Sequence, residues 1–481
     1  MTRIITNVPS LLAQRVLDLN NQTLTNSLER LSTGLRINTG KDDPAGLIAS
    51  ENLRAEKVAI TAAIGNAERA DQVINIAESG LAEVSSILTE LESLVVQTAN
   101  EAGQSLEERE ANQLQIDNLL NAIDRIANQT TFQGTKLLNG TYSYITSGVN
   151  VSELTDVSVD RAVIPASNFI GVEVEVLQSA QTAEAGLLVG GGIVGSTLTF
   201  EVAGNLGVQN ITVASGDTAA DVATAVNNFT EVTGVSATVS GTDVTFDSTA
   251  FGSRQFVSVG KVAGDATYDT AFVSPSIAGG QDQVKDLGRD AVVTINGSRA
   301  QVDGLKARAT SPSLEETVRL AQSQNTNGST SEFSINGGGA NFQFSPRVDL
   351  SGRVSVGIDA VTTGRLGSNE SGRLRELGAG GSANVVTGDL LQAQEILDDA
   401  ITDVTLLRGR LGSIQKDTIA PSIRSLGITF ENVAAAESAI RDTDFAEETA
   451  ELARAQLLVA ATTQALNIAN VRPQSVLQLL G

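Results

Sequence analysis

Apolar residues recur at intervals of three and four near both ends of this 481-residue chain, and this spacing constrains the fold more than any other feature. The first series is Val73, Ala77, Leu81, Val84, Leu88, Leu91 and Val95, followed by Ile116, Leu119, Ile123 and Ile126. The series near the other end is Leu397, Ala400, Val404, Leu407, Leu411, Ile414 and Thr418. A repeat of about 3.5 residues is typical of helices that share a packing seam. The spacing predicts long helices from both chain ends that pack together.

Aromatic residues separate the ends from the middle. No Phe, Tyr or Trp occurs from Met1 to Thr131, and only Phe430 and Phe445 follow Phe344. Aliphatic seams suit interlocking helices, whereas Phe and Tyr among Val and Thr favour pleated sheets. The ends are therefore expected to be helical and the middle to be rich in strands.

Short alternating runs fill the region from about residue 141 to residue 383, for example at residues 197–202 and 243–246. Gly, Asn, Asp and Ser separate these runs, which predicts small β-rich domains. One helix is predicted inside the region, at residues 218–229, with Asp217 or Thr218 as its cap. The expected fold class is α+β, with a terminal α-helical coiled coil or bundle made from both chain ends and β-rich (α+β) domains inserted between them.

Composition excludes several classes of function. The net charge is −24, from 32 basic and 56 acidic residues, so affinity for nucleic acid is not expected. The chain has no His and no Cys, which removes the usual zinc sites, thiolate nucleophiles and imidazole catalysis. We therefore predict no enzyme activity and no cofactor. No cleavable signal peptide is visible at the N-terminus, and no apolar stretch long enough to predict membrane insertion occurs.

The two terminal segments are amphipathic but carry too few large apolar residues to fold alone. Their apolar stripes are Leu24, Leu28, Leu31 and Leu35 at one end, and Leu452, Leu458, Ala461, Ala465 and Ile468 at the other. Residues 1–41 contain five basic and two acidic side chains, a net charge of +3, whereas residues 436–481 contain three and six, a net charge of −3. Opposite charges predict two arms that meet, although exposed ion pairs stabilise by only about 0–1 kcal/mol each.

Two short motifs have both a structural and a chemical interpretation. The hinge motif, Lys41, Asp42, Asp43, Pro44, Ala45 and Gly46, has the turn-forming side chains and the proline of a helix interruption, which we favour over a metal or acid-base site. Residues 190–195 match the spacing G-x-G-x-x-G but precede a predicted strand. A nucleotide-binding loop must open a helix, so residues 190–195 are interpreted as an ordinary loop.

The terminal segments resemble the signatures of bacterial flagellins. Residues 28–38, Leu-Glu-Arg-Leu-Ser-Thr-Gly-Leu-Arg-Ile-Asn, together with the hinge motif, resemble the N-terminal signature of that family. Residues 439–448, Ala-Ile-Arg-Asp-Thr-Asp-Phe-Ala-Glu-Glu, residues 454–457 and the ending at residues 473–480 are similar to the C-terminal signature. In the middle, Asn296-Gly297 and residues 233–256 resemble repeats of some flagellins and hook-associated proteins.

The resemblance implies a subunit that self-assembles into the helical flagellar filament used for swimming. It implies export in unfolded form through the flagellar channel, secretion, and an extracellular location. The implied partners are other copies of the chain, the filament cap and hook-associated proteins, and an export chaperone on the C-terminal arm. The arm residues that it implicates in assembly are Leu24, Leu28, Leu31, Leu35, Arg36, Asn38, Arg441, Asp442, Asp444, Ala455, Gln456, Leu457, Pro473, Val476, Leu477 and Leu480.

The resemblance also suggests a division of the chain. Residues 1–45 and 436–481 would be the assembly arms of an inner tube, residues 46–140 and 385–435 the helical core of an outer tube, and residues 141–384 the variable surface region. Many flagellins carry arginines in the helix around residues 88–97 that a Toll-like innate immune receptor recognises. Glu90 and Glu92 occupy those places here, which predicts poor activation of that receptor.

Three alternatives remain open. A hook-filament junction protein shares the terminal helices but does not polymerise without limit. A catalytic insertion in the middle would have to rely on carboxylates, because the motif His-Glu-x-x-His cannot occur in a chain without His. An adhesive surface module is compatible with a filament subunit.

Overall fold

A computed structural model of the chain describes residues 6–165, 169–187, 194–264, 272–274, 277–281, 283–311 and 313–478. The chain divides into two compact units. The terminal unit comprises residues 1–70, 343–352 and 416–481, and the central unit comprises residues 71–342 and 353–415. Residues 190–193 of the predicted loop motif lie outside the described residues.

The long helices lie at the two ends of the chain, as predicted. The helices are α1 (Val8–Thr33), α2 (Pro44–Thr98), α3 (Leu106–Gln129), α4 (Ala219–Asn227), α5 (Thr230–Thr233), α6 (Leu390–Ile414), α7 (Ala420–Arg441) and α8 (Phe445–Gln478). A π turn at Gln415–Ile419 joins α6 to α7, so the chain remains helical past Pro421. Proline cannot donate a backbone hydrogen bond, and a wider turn before it accommodates that loss.

The predicted seams form the helical core of the central unit. All seven residues of the first series, from Val73 to Val95, are buried, as are those from Leu397 to Leu411 in the last. The prediction for α3 was partly wrong, because Leu119 and Ile126 are only half-buried. The buried residues of α3 are Gln113, Ile116, Leu120, Ile123 and Ala127.

The physical reason is a buried amide in the seam of α3. The Gln113 side chain donates to the Leu377 carbonyl at 2.9 Å, and its oxygen accepts from the Val385 backbone N–H at 2.9 Å. Both polar atoms of the amide are therefore satisfied, which allows it to be buried. A prediction based only on the spacing of aliphatic residues cannot identify a polar residue at a seam position.

The middle of the chain consists of short strands. In chain order they are β1 (Thr131–Phe132), β2 (Thr135–Lys136), β3 (Ile145–Ser147), β4 (Leu154–Ala162), β5 (Ile170–Gln178), β6 (Glu184–Leu187), β7 (Leu198–Ala203), β8 (Val208–Val213), β9 (Val235–Ser240), β10 (Asp243–Ser248), β11 (Phe256–Gly264), β12 (Phe272–Ser274), β13 (Ile277–Gln281), β14 (Gln283–Leu287), β15 (Val292–Ile295), β16 (Ser298–Arg299), β17 (Gln301–Asp303), β18 (Lys306–Thr310), β19 (Leu314–Leu320), β20 (Thr330–Gly337), β21 (Ala340–Gln343), β22 (Arg353–Val356), β23 (Gly367–Ser368) and β24 (Gly372–Arg373). The α+β fold class is confirmed.

The strands build two modules with separate cores. The host module contains the sheets β16-β15-β5-β20-β3 and β17-β18-β19-β4, which enclose one cluster of buried apolar residues. The inserted module contains the sheets β13-β12-β6-β10-β9 and β14-β11-β7-β8, with α4 packed on its core. It interrupts the host module between β5 and β15, which pair antiparallel.

Local sequence signals explain the elements of the modules. Thr218 caps α4 in a reciprocal capping box with Asp221, as expected for the helix predicted at residues 218–229. The predicted strands at residues 197–202 and 243–246 correspond to β7 and β10. Gly338 lies between β20 and β21 with φ of 96°, and an added Cβ atom would lie 2.2 Å from the Ser143 carbonyl oxygen. The turn between β20 and β21 therefore needs glycine at position 338.

Candidate assembly interface

Helices α1 and α8 pair antiparallel along their length within the terminal unit. Their less exposed side chains recur at intervals of three and four, as in a coiled coil. On α1 these are Ser10, Ala13, Leu17, Asn20, Leu24, Ser27 and Leu31. On α8 they are Glu448, Leu452, Ala455, Val459, Thr462, Leu466 and Ala469. The seam mixes small and polar side chains with a few leucines.

Polar contacts along this seam set which residues of the two arms face each other. Asn7 donates to the Ala469 carbonyl at 2.8 Å, and the Ser10 hydroxyl donates to the Asn470 side chain at 2.6 Å. At the other end, Arg30 lies 3.6 Å from the Glu448 carboxylate. That ion pair joins the basic arm to the acidic arm. Because the contacts lie at both ends of α1, a shift in register would break them together.

Many large apolar side chains of both arms lie outside the seam and remain exposed. The exposed fraction is 57% for Leu11, 50% for Leu28 and 73% for Leu457. The other large apolar side chains left exposed on the arms are Val8, Leu12, Val16, Leu19, Phe445, Leu458, Ile468 and Val471. Pairing of the two arms thus leaves apolar surface uncovered on each of them.

The predicted arm residues on α1 and α8 therefore separate into two groups. Leu24, Leu31 and Ala455 lie in the seam, whereas Leu28, Gln456 and Leu457 face outward. The expectation that Leu28 shares a stripe with Leu24 and Leu31 was wrong, because Ser27 rather than Leu28 occupies the seam position between them. The side chains of Pro473, Val476 and Leu477 and the whole of Leu480 lie outside the described residues.

The interruptions of the N-terminal and C-terminal helices lie side by side. Helix α1 ends at Gly34, in the left-handed conformation with φ of 73°, and α7 ends at Asp442. The Thr443 N–H donates to the Gly34 carbonyl at 3.0 Å, and the Arg36 N–H donates to the Arg441 carbonyl at 2.7 Å. The Arg36 guanidinium also donates to the Ile440 carbonyl at 2.6 Å. We name residues 34–46 and 438–447 the arm joint.

The acidic side chains of the arm joint hold turns and helix starts. The Asp42 carboxylate accepts from the backbone N–H of Thr39 at 2.8 Å and of Asn38 at 3.2 Å. These bonds, with that from the Thr39 backbone first, lower the pKa of Asp42 below its usual value. Asp43 accepts from the Gly46 N–H at 2.8 Å at the start of α2.

The C-terminal half of the joint is organised in the same way. Asp444 accepts from the Ala446 N–H at 2.8 Å at the start of α8, and Asp442 accepts from the Ser438 hydroxyl at 2.6 Å. Each carboxylate thus accepts a hydrogen bond from a neighbouring donor, as Asp commonly does when it caps the start of a helix. Residues 41–43 lie in the break between α1 and α2, and residues 44–46 form the first turn of α2.

Several contacts in and beside the arm joint were not predicted. Ile37 is buried, and an added Cβ atom on Gly46 would lie 2.7 Å from its Cδ1 atom. Arg441 pairs with Glu51 at 2.7 Å, and Lys57 pairs with Glu437 at 2.5 Å. A single aliphatic residue within the polar run at residues 36–43 was the available signal for Ile37.

The acidic residues and the helices of the described ranges bear on metal binding and on membrane insertion. Within them, no three carboxylates lie close enough together to hold a metal ion. None of the helices in the described ranges combines the length and apolar character needed to cross a membrane. Glu90 and Glu92 lie on α2, the first exposed and the second half-buried.

Comparison with known families agrees with the terminal signatures. The family description "Bacterial flagellin N-terminal helical region" matches residues 4–143, and "Bacterial flagellin C-terminal helical region" matches residues 394–480. A third description, "Flagellin hook IN motif", matches residues 197–250 in the inserted module and overlaps the predicted repeat at residues 233–256.

Relatives align with this chain from end to end. Flagellin B of Helicobacter pylori (strain ATCC 700392 / 26695) is 28% identical over 521 residues, covering 99% of each chain. Flagellin of Salmonella typhimurium is 29% identical over 524 residues, covering 100% of each chain. Polar flagellin B/D of Vibrio parahaemolyticus is 27% identical over 479 residues, covering 99% of this chain and 98% of its own.

Two terminal family regions on one chain, and relatives that match its whole length, define a structural subunit of the bacterial flagellar filament. The chain belongs to the flagellin family. The family predicted from the two signatures is thereby confirmed.

Proposed function

We propose that the outward faces of α1 and α8 are the surface through which this subunit polymerises. The observation that carries the proposal is the exposed apolar surface left after the arms pair with each other. Monomeric proteins seldom leave so many large aliphatic side chains uncovered on two adjacent helices. Other copies of the chain would cover them. Such contacts are heterologous and do not close, which generates a helical filament.

The seam and the outward faces then have different roles. Hydrogen bonds and the Arg30–Glu448 ion pair align the two arms within one subunit. The outward leucines contribute most of the free energy of assembly, at roughly 1.5–3 kcal/mol for each fully buried side chain. Arms whose apolar surface is covered only by neighbouring copies fold as they assemble, so folding and polymerisation are coupled.

We assign the remaining regions by the same logic. Residues 46–140 and 385–435 would form the helical core of the filament, and residues 141–384 would form its surface. Export in unfolded form, secretion, binding of an export chaperone to the C-terminal arm, and contacts with cap and hook-associated proteins belong to this proposal. So does the absence of catalysis and of a cofactor.

Replacing Leu457 by aspartate tests the polymerisation surface. Leu457 is exposed, so the monomer should keep its helical content, while elongation requires a charge to be buried against a neighbouring copy. The loss of about 2 kcal/mol of apolar burial alone should raise the critical concentration for polymerisation more than tenfold. The measurement is the length and mass of filaments grown from filament seeds at several monomer concentrations.

The matched control is Asn467→Asp, which adds the same charge at an exposed polar position of α8 and should elongate nearly as well as the parent. Normal growth of L457D would contradict the proposed surface. The parent chain in the same seeded assay also separates the alternatives, because a hook-filament junction protein should cap the seeds without forming long fibres.

We also propose that this subunit activates the Toll-like receptor of innate immunity poorly, because carboxylates replace cations at Glu90 and Glu92. Reversal of charge leaves the receptor's groups without partners. The double variant Glu90→Arg and Glu92→Arg should gain potency in a reporter-cell assay, while Glu83→Arg, an exposed position on the same helix, should not. Full potency of the parent chain at ordinary flagellin doses would contradict the proposal.

A further inference from the structure

Two strands of chain connect the inserted module to the host module, and they are paired with each other. The Gln181 N–H donates to the Arg289 carbonyl at 2.8 Å, and the Arg289 N–H donates to the Gln181 carbonyl at 2.9 Å. If these two paired segments were the whole connection, they would act as a hinge, because nothing would oppose rotation of one module relative to the other about the axis of the pair. A third contact away from that line decides whether the modules move independently.

Residues 251–255, Phe-Gly-Ser-Arg-Gln, make that third contact, and we name them the lock segment. They precede β11 of the inserted module and end the stretch that resembles hook-associated repeats. Phe251 packs against the core of the host module. The Gly252 N–H donates to the Gln181 carbonyl at 3.3 Å, and the Gly288 N–H donates to the Gln255 carbonyl at 2.9 Å. The segment thus contacts both connecting strands.

Asp290 joins the lock segment to the host module. Its Oδ1 atom accepts from the Ser253 N–H at 2.8 Å and from the Gly304 N–H at 2.9 Å, and its Oδ2 atom accepts from the Ser253 hydroxyl at 2.5 Å. Arg254 also forms an ion pair with Asp303. One carboxylate therefore bridges a loop of the inserted module and the β17–β18 turn of the host module.

Three glycines allow the backbones to approach this closely. A Cβ atom on Gly252, which has φ of 121°, would lie 2.8 Å from the Asp290 Oδ1 atom. A Cβ atom on Gly288 would lie 2.4 Å from the Gly252 carbonyl oxygen, and one on Gly304 would lie 2.6 Å from the Phe251 carbonyl oxygen. Side chains at these positions would separate the segments. The contact is a packed arrangement of backbone rather than a loose loop against a surface.

We infer that the lock segment fixes the inserted module to the host module as one rigid body, with Asp290 as the positioning residue. The inserted module then projects from the subunit in a single orientation. Loss of the Asp290 carboxylate removes three hydrogen bonds to a charged group, while the two connecting strands remain paired. Each module keeps its own core, so the expected result is independent motion of two folded modules.

The experiment measures the distance between the modules in the full-length monomer. The chain contains no Cys, so exposed Ser240 of the inserted module and Ser298 of the host module can be replaced by cysteine and spin-labelled specifically. Pulsed electron paramagnetic resonance should give a narrow distance distribution for the parent. In Asp290→Ala we expect the distance distribution to broaden. Trypsin should also cleave after the exposed Arg254 about tenfold faster, because a loss of about 1.4 kcal/mol of local stability raises the population of the open form about tenfold.

Asp290→Asn is the matched control, because an amide oxygen can still accept from both backbone N–H groups. Its distance distribution should stay narrow, and its cleavage after Arg254 should stay slow. Ser253→Ala removes only the hydroxyl bond and should broaden the distribution slightly, which keeps the test valid if D290A folds poorly. A distribution in D290A and S253A as narrow as in the parent, with unchanged cleavage after Arg254, would overturn the inference.

Discussion

Replacing Arg410 by alanine is expected to lower the free energy of unfolding of the central unit by about 3–5 kcal/mol, the range for removal of one partner from a buried ion pair. Arg410 lies on α6 and pairs with Asp160 on β4, and both side chains are largely buried. Its guanidinium also donates to the Gly357 carbonyl at 3.0 Å and lies 3.4 Å from Asp359. The variant would leave the Asp160 carboxylate buried with two longer contacts, to Arg308 at 3.8 Å and to the Ser158 hydroxyl at 3.5 Å.

The surroundings of Arg410 show why its removal should cost more than an ordinary surface change. Burial lowers the pKa of Arg410 to about 10, which is still well above neutral pH, so the guanidinium stays charged at this buried position. Calorimetry of the full-length monomer measures the loss, with the exposed Arg125→Ala on α3 as control. Arg410→Lys keeps the charge but cannot donate to several acceptors in one plane. Its loss of unfolding free energy should lie between those of R410A and R125A. An R410A transition that coincides with that of R125A would contradict the prediction.

Replacing Glu316 by glutamine is expected to stabilise the host module above neutral pH. Glu316 is fully buried on β19, and neither carboxylate oxygen has a hydrogen-bond partner within the described part of the chain. Its neighbours across the sheet are Ala309 and Val159. Burial raises the pKa of Glu316 from 4.5 to about 7. An acid with a raised pKa binds its proton more tightly in the folded state than in the unfolded state.

The sign of the pH dependence follows. Between pH 4.5 and about 7 the folded chain holds a proton that the unfolded chain has released, so stability falls as pH rises through this window and is constant above it. At about 1.36 kcal/mol per pKa unit, the loss approaches about 3 kcal/mol at pH 8. Glutamine has no proton to lose, so E316Q should match the parent near pH 4.5 and exceed it at pH 8.

Glu315→Gln on the same strand is the matched control. Glu315 faces the opposite side of the sheet and pairs with Arg308 at 2.7 Å and Arg161 at 3.9 Å, so its loss should weaken the module slightly at pH 8. Denaturant unfolding at pH 5 and pH 8, followed by a probe in the host module, distinguishes the two variants. A parent whose stability at pH 8 equals that of E316Q would show that Glu316 finds a partner or water when ionised.

Much of the helical architecture was predictable because its signal is local. The seam from Val73 to Val95 repeats within a single helix, and burial of one face is enough to explain it. The break before α2 was also visible in the sequence of residues 41–46, because Asp, Pro and Gly favour turns and helix starts through their own backbone and side-chain preferences. The strands β7 and β10 followed from alternation over a few residues.

Errors appeared where a neighbouring element decides which face of a helix is buried. From periodicity alone, Leu119 and Ile126 suit a seam as well as Leu120 does. The hydrogen bonds of Gln113 to residues far along the chain favour the face of α3 that contains Gln113 and Leu120. Leu28 suits the same stripe as Leu24, but the seam with α8 has Ser27 between Leu24 and Leu31 and leaves Leu28 exposed. Periodicity shows that a helix has an apolar side without showing how much of that side its own chain covers.

The amino-acid sequence by itself determined that both ends of this chain are helical, that its middle is β-rich, and that its terminal signatures are those of a flagellin. Only the tertiary structure decided that residues 34–46 meet residues 438–447, that Phe251 packs against the core of the host module, and that Glu316 is buried without a hydrogen-bond partner among the described residues. The physical reason is the separation along the chain of the residues that interact. Helix period, strand alternation and turn chemistry act between residues a few positions apart, whereas these contacts depend on long chain segments folding back, which no local preference records.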